Sequence, residues 1–297
     1  DFGKGTYGSE EHERRYVHFL NNLKLADARN AAEGPNGARH GITRFSDMSP
    51  EEFKAFLSAD PNTKSQGLRG AMKEKAPMSE MRSDPRSGDS KDWTGTLTTP
   101  VKNQAQCGSC WAFSATEQIE SDTMRTLHTT YVLSPQQIVS CDKTALGCNG
   151  GWTEHAYNYV NSAGGIEQNS DYPYTSSTGQ SGTCKVDDSK FVVTVNKFYT
   201  VQGEDNMSDY VLKTGPLSVC LDASTWSTYK GGIMSACPTQ VDHCVQAVGV
   251  QTGSGGYWKV RNSWGTSWGE DGFIRLAYGK NTCDITNDPT YTSVAKV

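Results

Sequence analysis

Glu11, Arg15, Phe19, Asn22, Ala26 and Asn30 recur at steps of 4, 4, 3, 4 and 4, which places all six on one stripe of an α-helix. The stripe is mixed rather than apolar, and Glu11 and Arg15 stand one turn apart, where they can pair. A Gly-Pro-Asn-Gly turn follows at 34–37, then Gly41-Ile-Thr-Arg-Phe45-Ser-Asp47. Ser49-Pro-Glu-Glu52 carries a helix-start signal with proline at the first helical position, and it leads into Phe53, Phe56 and Leu57. Residues 58–91 are polar, hold three prolines and show no period that could bury a face. An extended linker is expected there, of the kind that is readily cut.

Beyond the linker the pattern changes twice. Ala112, Ala115, Ile119 and Leu127 share one arc of a helix that starts near Cys110, with Asp122 and Arg125 outside the arc, which predicts a buried central helix. Further on, Leu217, Val219 and Leu221 alternate with Ser218, Cys220 and Asp222, and β-rich segments follow at 245–250, 257–261 and 273–277. The predicted class is α+β: a helical lobe followed by a mostly antiparallel β lobe, preceded by a helical appendage. No internal repeat or low-complexity tract is present.

Composition narrows the picture. At 297 residues the chain can bury a core in one large domain or two modest ones. No apolar run approaches the roughly 20 residues of a membrane span, and no apolar signal-peptide core precedes the polar start at Asp1. Any targeting peptide is therefore expected to have been removed or never to have been included in this sequence. Residues 1–86 hold fourteen Lys and Arg against thirteen Asp and Glu, which leaves fourteen against twenty in the remainder. Such an acidic balance is a poor footprint for nucleic acid. All nine cysteines lie beyond residue 106, as in a disulfide framework from an oxidising compartment with one sulfur left over for chemistry.

Gln104-Ala-Gln-Cys107-Gly-Ser-Cys110-Trp-Ala-Phe113 is the strongest chemical signal. Val-Asp242-His243-Cys244 and Val-Arg-Asn262-Ser-Trp264-Gly-Thr-Ser-Trp268 follow, with His243 and Asn262 standing 133 and 152 residues after Cys110. These three motifs, in this order and spacing, resemble the papain-like cysteine proteases, in the cathepsin L/F-like branch of that family. A thiol at a helix N-terminus faces free amides and the positive end of the macrodipole, and a neighbouring imidazolium lowers its pKa further. The thiolate then attacks a peptide carbonyl without a separate deprotonation.

The resemblance implies a role for each residue. Cys110 is the nucleophile, His243 its acid/base partner, and Asn262 orients the ring. Gln104 and the Cys110 backbone N–H form the oxyanion hole. Trp264 shields the His–Asn bond, and Trp268 borders the leaving-group side. Gly150, Gly151 and Trp152 form the substrate-binding edge. Cys220, Asp242, Cys244 and Asp288 fall in or beside the binding cleft, and Asp288 at the base of the pocket for the substrate residue two before the cut implies acceptance of basic side chains there. Disulfides are implied for Cys107 with Cys148, Cys141 with Cys184, and Cys237 with Cys283. A fourth, Cys220 with Cys244, is expected, with reduced thiols as the alternative.

The resemblance extends to the N-terminal stripe. Glu11, Arg15, Phe19, Asn22 and Asn30, with Gly41, Phe45 and Asp47, match the family's inhibitory prosegment. Ala26 and Thr43 replace the usual isoleucine and asparagine, and the prosegment lacks the tryptophans many relatives have there. The implied organisation is a prosegment over 1–86, helical to 57 and extended over 58–86, and a mature peptidase over 87–297 with lobes of about 87–197 and 198–297. Residues 58–86 are expected to run through the cleft opposite to a substrate, with a cut near 78–88 on acidification as Asp47 and its neighbours lose charge.

The expected activity is that of an inactive precursor of a cysteine endopeptidase acting on polypeptides, monomeric, without cofactor, metal, nucleic acid or membrane as partner. Its expected setting is the secretory route to an acidic vacuole-like or lysosomal compartment, or to the exterior. The absence of an insertion between Gly151 and Tyr172 favours endopeptidase over exopeptidase. Two other classes stay open: a catalytically silent binding or inhibitory protein, and a thiol–disulfide oxidoreductase using Cys107 and Cys110. Asn206-Met-Ser208 is a lone glycosylation sequon, and His155 reads as a surface or packing residue.

Overall fold

The computed structural model describes residues 8–57, 73–77 and 88–297. Its first helix, α1 (Ser9–Glu33), ends at Gly34, whose φ of 74° is one that glycine adopts without strain. Strand β1 (Arg39–His40) follows, then α2 (Pro50–Lys54). The Ser49 side chain accepts from the Glu52 N–H while Glu52 accepts from the Ser49 N–H, a complete capping box. Residues 73–77 are the described part of the extended stretch expected over 58–86, and Lys73–Lys75 of it forms strand β2. The rest of the expected passage through the cleft, and the expected cut apart from Gly88, lie outside the described residues.

The stripe read from the sequence is an attachment face rather than an apolar one. Arg15 bonds Glu11 at 2.7 Å, both carboxylate oxygens of Glu52 at 2.8 Å and the Asp47 carbonyl at 3.1 Å. Asn22 donates to the carbonyls of Ser46 and Met48, Asn30 holds both main-chain groups of His40, and Ala26 is buried between them. These bonds fix residues 40–48 against α1, while Phe19 is half-buried. The N-terminal part, which has no tryptophan, packs on one from the rest of the chain: Phe45 and Phe53 lie edge-on against Trp264 at 5.0 and 5.6 Å.

Beyond residue 88 come β3 (Ser90–Asp92), α3 (Cys110–Leu127), α4 (Pro135–Cys141), α5 (Thr153–Ala163), β4 (Val193–Thr200), α6 (Glu204–Lys213) and β5 (Leu217–Leu221). The chain closes with β6 (Tyr229–Gly231), β7 (Ile233–Met234), β8 (His243–Gln251), β9 (Tyr257–Arg261), β10 (Phe273–Ala277) and β11 (Thr290–Lys296). Among the described residues the main sheet runs β2-β4-β11-β5-β8-β9-β10-β7, with β3 also on β8. Its central ladders are antiparallel, and the parallel pairs β2–β4 and β7–β10 lie at its two ends. Strand β4 crosses the lobe boundary expected at 197/198: it pairs with β11, while Val193, Val195 and Phe198 sit in the core of the helical lobe.

The central helix is more enclosed than its apolar arc implies, because every residue from Cys110 to Met124 is buried, Asp122 included. It lies between the helical lobe and strands β8 and β11, so its polar side faces protein. There Asp122 accepts from Arg125, Gln118 and the Thr292 N–H and hydroxyl, Glu120 pairs with Lys102 at 2.6 Å, and Glu117 meets Arg261 at 3.4 Å. Buried charge is tolerated when paired in this way.

Candidate active site

Cys110 is the first residue of α3, completely buried, and the one cysteine outside the four disulfides. The loop before it is fixed from three sides. The Cys107–Cys148 disulfide ties it to the 146–151 turn, Gly108 donates to the Cys148 carbonyl, and the Tyr174 hydroxyl bridges Ser109 and the Gln104 carbonyl. Gly151 packs so closely on Trp111 that a Cβ there would come within 2.5 Å of the indole, which accounts for glycine at this edge. Gly150, at φ 123°, needs glycine for its conformation.

His243 opens β8 from the other side. Its Nε2–H donates to Asn262 Oδ1 at 2.8 Å, and Asn262 Oδ1 also accepts from the Ser263 N–H. Nδ1 has no hydrogen-bond partner among the described residues, so one ring nitrogen is held in place and the other is not. The Trp264 ring lies 4.9 Å from the imidazole and Trp226 stands edge-on at 6.0 Å. Burial pushes the imidazole down to about 4, against the opposing pull of the Asn262 bond. Trp268 is equally buried, edge-on to Trp264 and stacked on Trp226. Sequence reasoning missed Trp226, which stands in no motif.

Gln104 is held by its neighbours and covered by Phe56. Its Oε1 accepts from the Ser263 hydroxyl at 2.7 Å, and its Nε2 donates to the carbonyls of Cys107 and Phe56, each at 3.0 Å. Phe56, expected in the helical part of the prosegment, therefore already reaches the site. Ser263, adjacent to Asn262, links the Gln104 and His243 sides and was legible only as a neighbour of that motif.

The remaining residues fall into two groups. Trp152, Val241 and the Cys220–Cys244 disulfide form one buried cluster, the two cysteines facing each other across β5 and β8. Trp152 Nε1 donates to Asp288 Oδ2 at 2.5 Å, so Asp288 joins this group. Asp242, next to Val241 of that cluster, borders a cavity of about 1050 Å³ that is lined by residues within 22–57 and by Cys148, Asn149, Ser224 and Ser227. Burial raises its carboxyl to about 7, with Asp222 adding to the rise and the Ala223 N–H and Lys54 opposing it. Cys141 pairs with Cys184 and Cys237 with Cys283. Asn206 lies in the first turn of α6 with its amide on the Gln202 carbonyl, and Ser208 of its sequon is buried. His155 is buried too, with no hydrogen-bond partner for either ring nitrogen among the described residues. No cluster of three or more metal-ligating side chains occurs among the described residues.

This arrangement has known counterparts. The papain family cysteine protease domain matches residues 85–293, and the cathepsin propeptide inhibitor domain matches residues 2–53. The chain belongs to the papain family of cysteine proteases. It is the precursor form of a cysteine endopeptidase, with an inhibitory prosegment in the same chain. A probable cysteine protease, RD19B of Arabidopsis thaliana, is 38% identical over 96% of this chain and 82% of its own. Cysteine proteinase A of Leishmania mexicana is 37% identical over 98% and 82%. Among solved structures, a digestive procathepsin L 3 from the larval midgut of Tenebrio molitor superimposes with a TM-score of 0.83 at 30% identity, covering 98% of this chain and 94% of that one. A recombinant stem bromelain precursor does so with a TM-score of 0.81 at 31%, covering 98% and 95%.

Proposed function

We propose that Cys110 is the nucleophile of this endopeptidase, His243 its proton carrier, Asn262 the ring's orienter and Gln104 an oxyanion donor. The thiolate adds to the scissile carbonyl, and charge builds on its oxygen toward the Gln104 amide and the Cys110 N–H. His243 gives its Nδ1 proton to the leaving amine, and the carbonyl is left as a thioester on Cys110. Water, deprotonated by the same nitrogen, then releases the acid. Throughout, the 2.8 Å bond to Asn262 keeps the other nitrogen in place.

The proposed prosegment is 1–86 and the proposed mature enzyme 87–297. The observation that carries the reading is the Phe56 carbonyl on Gln104 Nε2: a prosegment carbonyl occupies the donor that the reaction needs. The buried His243 ring is neutral at physiological pH, so the zymogen also lacks the imidazolium that would sustain a thiolate. Removing the prosegment admits water, raises the ring's affinity for a proton and frees Gln104 together.

The pocket formed by Trp152, the Cys220–Cys244 disulfide and Asp288 takes the substrate residue two before the cut, and Gly150 and Gly151 form its peptide-binding edge. Trp268 borders the leaving-group side. Acid releases the prosegment, and Glu11 contributes: Arg15 holds its carboxyl below the usual range, so this contact weakens as pH falls through that depressed value. The four disulfides support passage through an oxidising secretory route to an acidic compartment or the exterior, and the enzyme acts as a monomer. Wild type incubated at about pH 5 with a thiol reductant should shorten by its prosegment and then hydrolyse a fluorogenic dipeptide substrate, whereas Cys110→Ala should do neither. A wild-type chain that stays silent after trimming by another protease overturns the reading.

A further inference from the structure

The Gly150-Gly151-Trp152 edge runs directly into α5, whose second residue is Glu154. Its side chain is completely buried, and Oε1 accepts from Lys73 Nζ at 2.6 Å. Lys73 belongs to β2, which lies parallel to β4 with Lys73, Glu74 and Lys75 opposite Phe198, Tyr199 and Thr200. The ladder continues where the Ala76 N–H donates to the Thr200 carbonyl at 3.1 Å. Alternate side chains of a strand face opposite ways. Lys73 accordingly meets Glu154, while Glu74 meets Lys197 Nζ at 2.5 Å.

Strand β2 is the last of the sheet, and it lies within the proposed prosegment. Once the prosegment is cut away, β4 becomes the edge, with hydrogen-bonding groups open to another extended chain. Glu154 then loses Lys73. One residue, Thr153, separates Glu154 from Trp152, a chain path of at most about 7 Å. Trp152 carries the bond to Asp288 in the proposed pocket.

We propose that in the activated enzyme Glu154 and the bared β4 edge form a binding site for an extended stretch of the polypeptide substrate carrying lysine or arginine. Lys73 is its stand-in in the zymogen. The occupant is the substrate because the site continues from the pocket-lining Trp152, so a chain seated in that pocket reaches Glu154 a few residues further on. This inference rests on the protease reading above and adds to it a preference for a basic residue remote from the cut.

The test uses chain activated by its own processing and pairs of internally quenched peptides, differing only in Lys against Gln at single positions about four to six residues before the cut. In wild type, kcat/KM should favour Lys at one position by about three- to tenfold, carried by KM, the effect of one ion pair. The ratio should fall to about one in Glu154→Gln, and in wild type when salt rises from about 0.05 to 1 M. The salt arm decides even where the variant does not fold. A ratio of about one in wild type at every position overturns this site while leaving the protease reading intact, and so does a preference that survives both Glu154→Gln and salt. Failure of wild type to cut even a short dipeptide substrate overturns the protease reading, and this site with it.

Discussion

Gln104 donates from one amide nitrogen to the carbonyls of Phe56 and Cys107, and its oxygen is fixed by Ser263. That fixed geometry is what an oxyanion donor needs, because the amide does not reorganise as charge develops. Gln104→Ala, assayed after activation, should lower kcat by about 10²- to 10³-fold, equivalent to about 2.7–4 kcal/mol, with KM changed far less. Asp288 makes a second case. Its bond to the Trp152 indole leaves an acidic group in the proposed pocket, and Asp288→Ala should reduce cleavage of Arg-bearing substrates relative to Phe-bearing ones by about tenfold. Equal ratios before and after would remove Asp288 from specificity. Cys110, His243 and Asn262 were legible in the sequence because each stands in a motif at a recognisable distance from the next. Trp226 and the Phe56 carbonyl were not: one lies in no motif, and the other is a main-chain atom placed by the path of the chain.

At the scale of elements, β1 meets β6 through Arg39 and His40, and there the prosegment carries a histidine suited to sensing acid. His40 Nδ1 lies 2.9 Å from the Thr228 hydroxyl, with the Tyr229 ring edge-on. Burial pushes its imidazole down to about 4; Arg29 adds to that fall and Glu33 opposes it. Arg39 and Lys230 are the nearest charges along β1 and β6. Once released, the ring returns toward about 6.5. The docked state therefore holds its full stability above about pH 6.5 and loses it as pH falls toward 4. His40→Gln cannot take up that proton, so its half-maximal processing should move to lower pH and its rate at about pH 5 should fall severalfold, as followed by gel mobility over time. The helices and strands themselves were well marked, with the central helix starting at Cys110 and strands at 257–261 and 273–277 as read. The expected linker supplied the exception, since Lys73–Lys75 joins the sheet although nothing in its polar sequence marks a strand. Its partner β4 lies more than a hundred residues away.

For the whole molecule, the two lobes meet across a helix with charged residues on its inner side. Glu117 lies against Arg261, whose guanidinium also reaches the Thr99 carbonyl and Gln246, and burial drives the Glu117 carboxyl upward against the pull of Arg261 and Lys102. Glu117→Ala would leave Arg261 buried without its carboxylate and should cost about 3–5 kcal/mol of stability, read as a lowered midpoint in denaturant unfolding. The prosegment follows the same logic on a smaller scale. Among the described residues its buried aromatic side chains join the core of the β lobe, and Phe45 and Phe53 pack on Trp264 of the catalytic part. Folding of the inhibitor and covering of the site are thus coupled through one indole.

By itself the sequence determined the papain-like class, the two-part organisation and the residues of the proposed catalytic set, because local periodicity and short motifs are written in neighbouring residues. It marked Asp122 as lying outside the buried arc of its helix, since periodicity registers one apolar face and not protein on every side. Only the tertiary structure decided that the helix is enclosed, that Cys220 joins Cys244, that Phe56 meets Gln104, and that Glu154 meets Lys73. Each of these contacts joins residues distant along the chain, and whether such groups meet depends on how the elements pack rather than on what either segment contains.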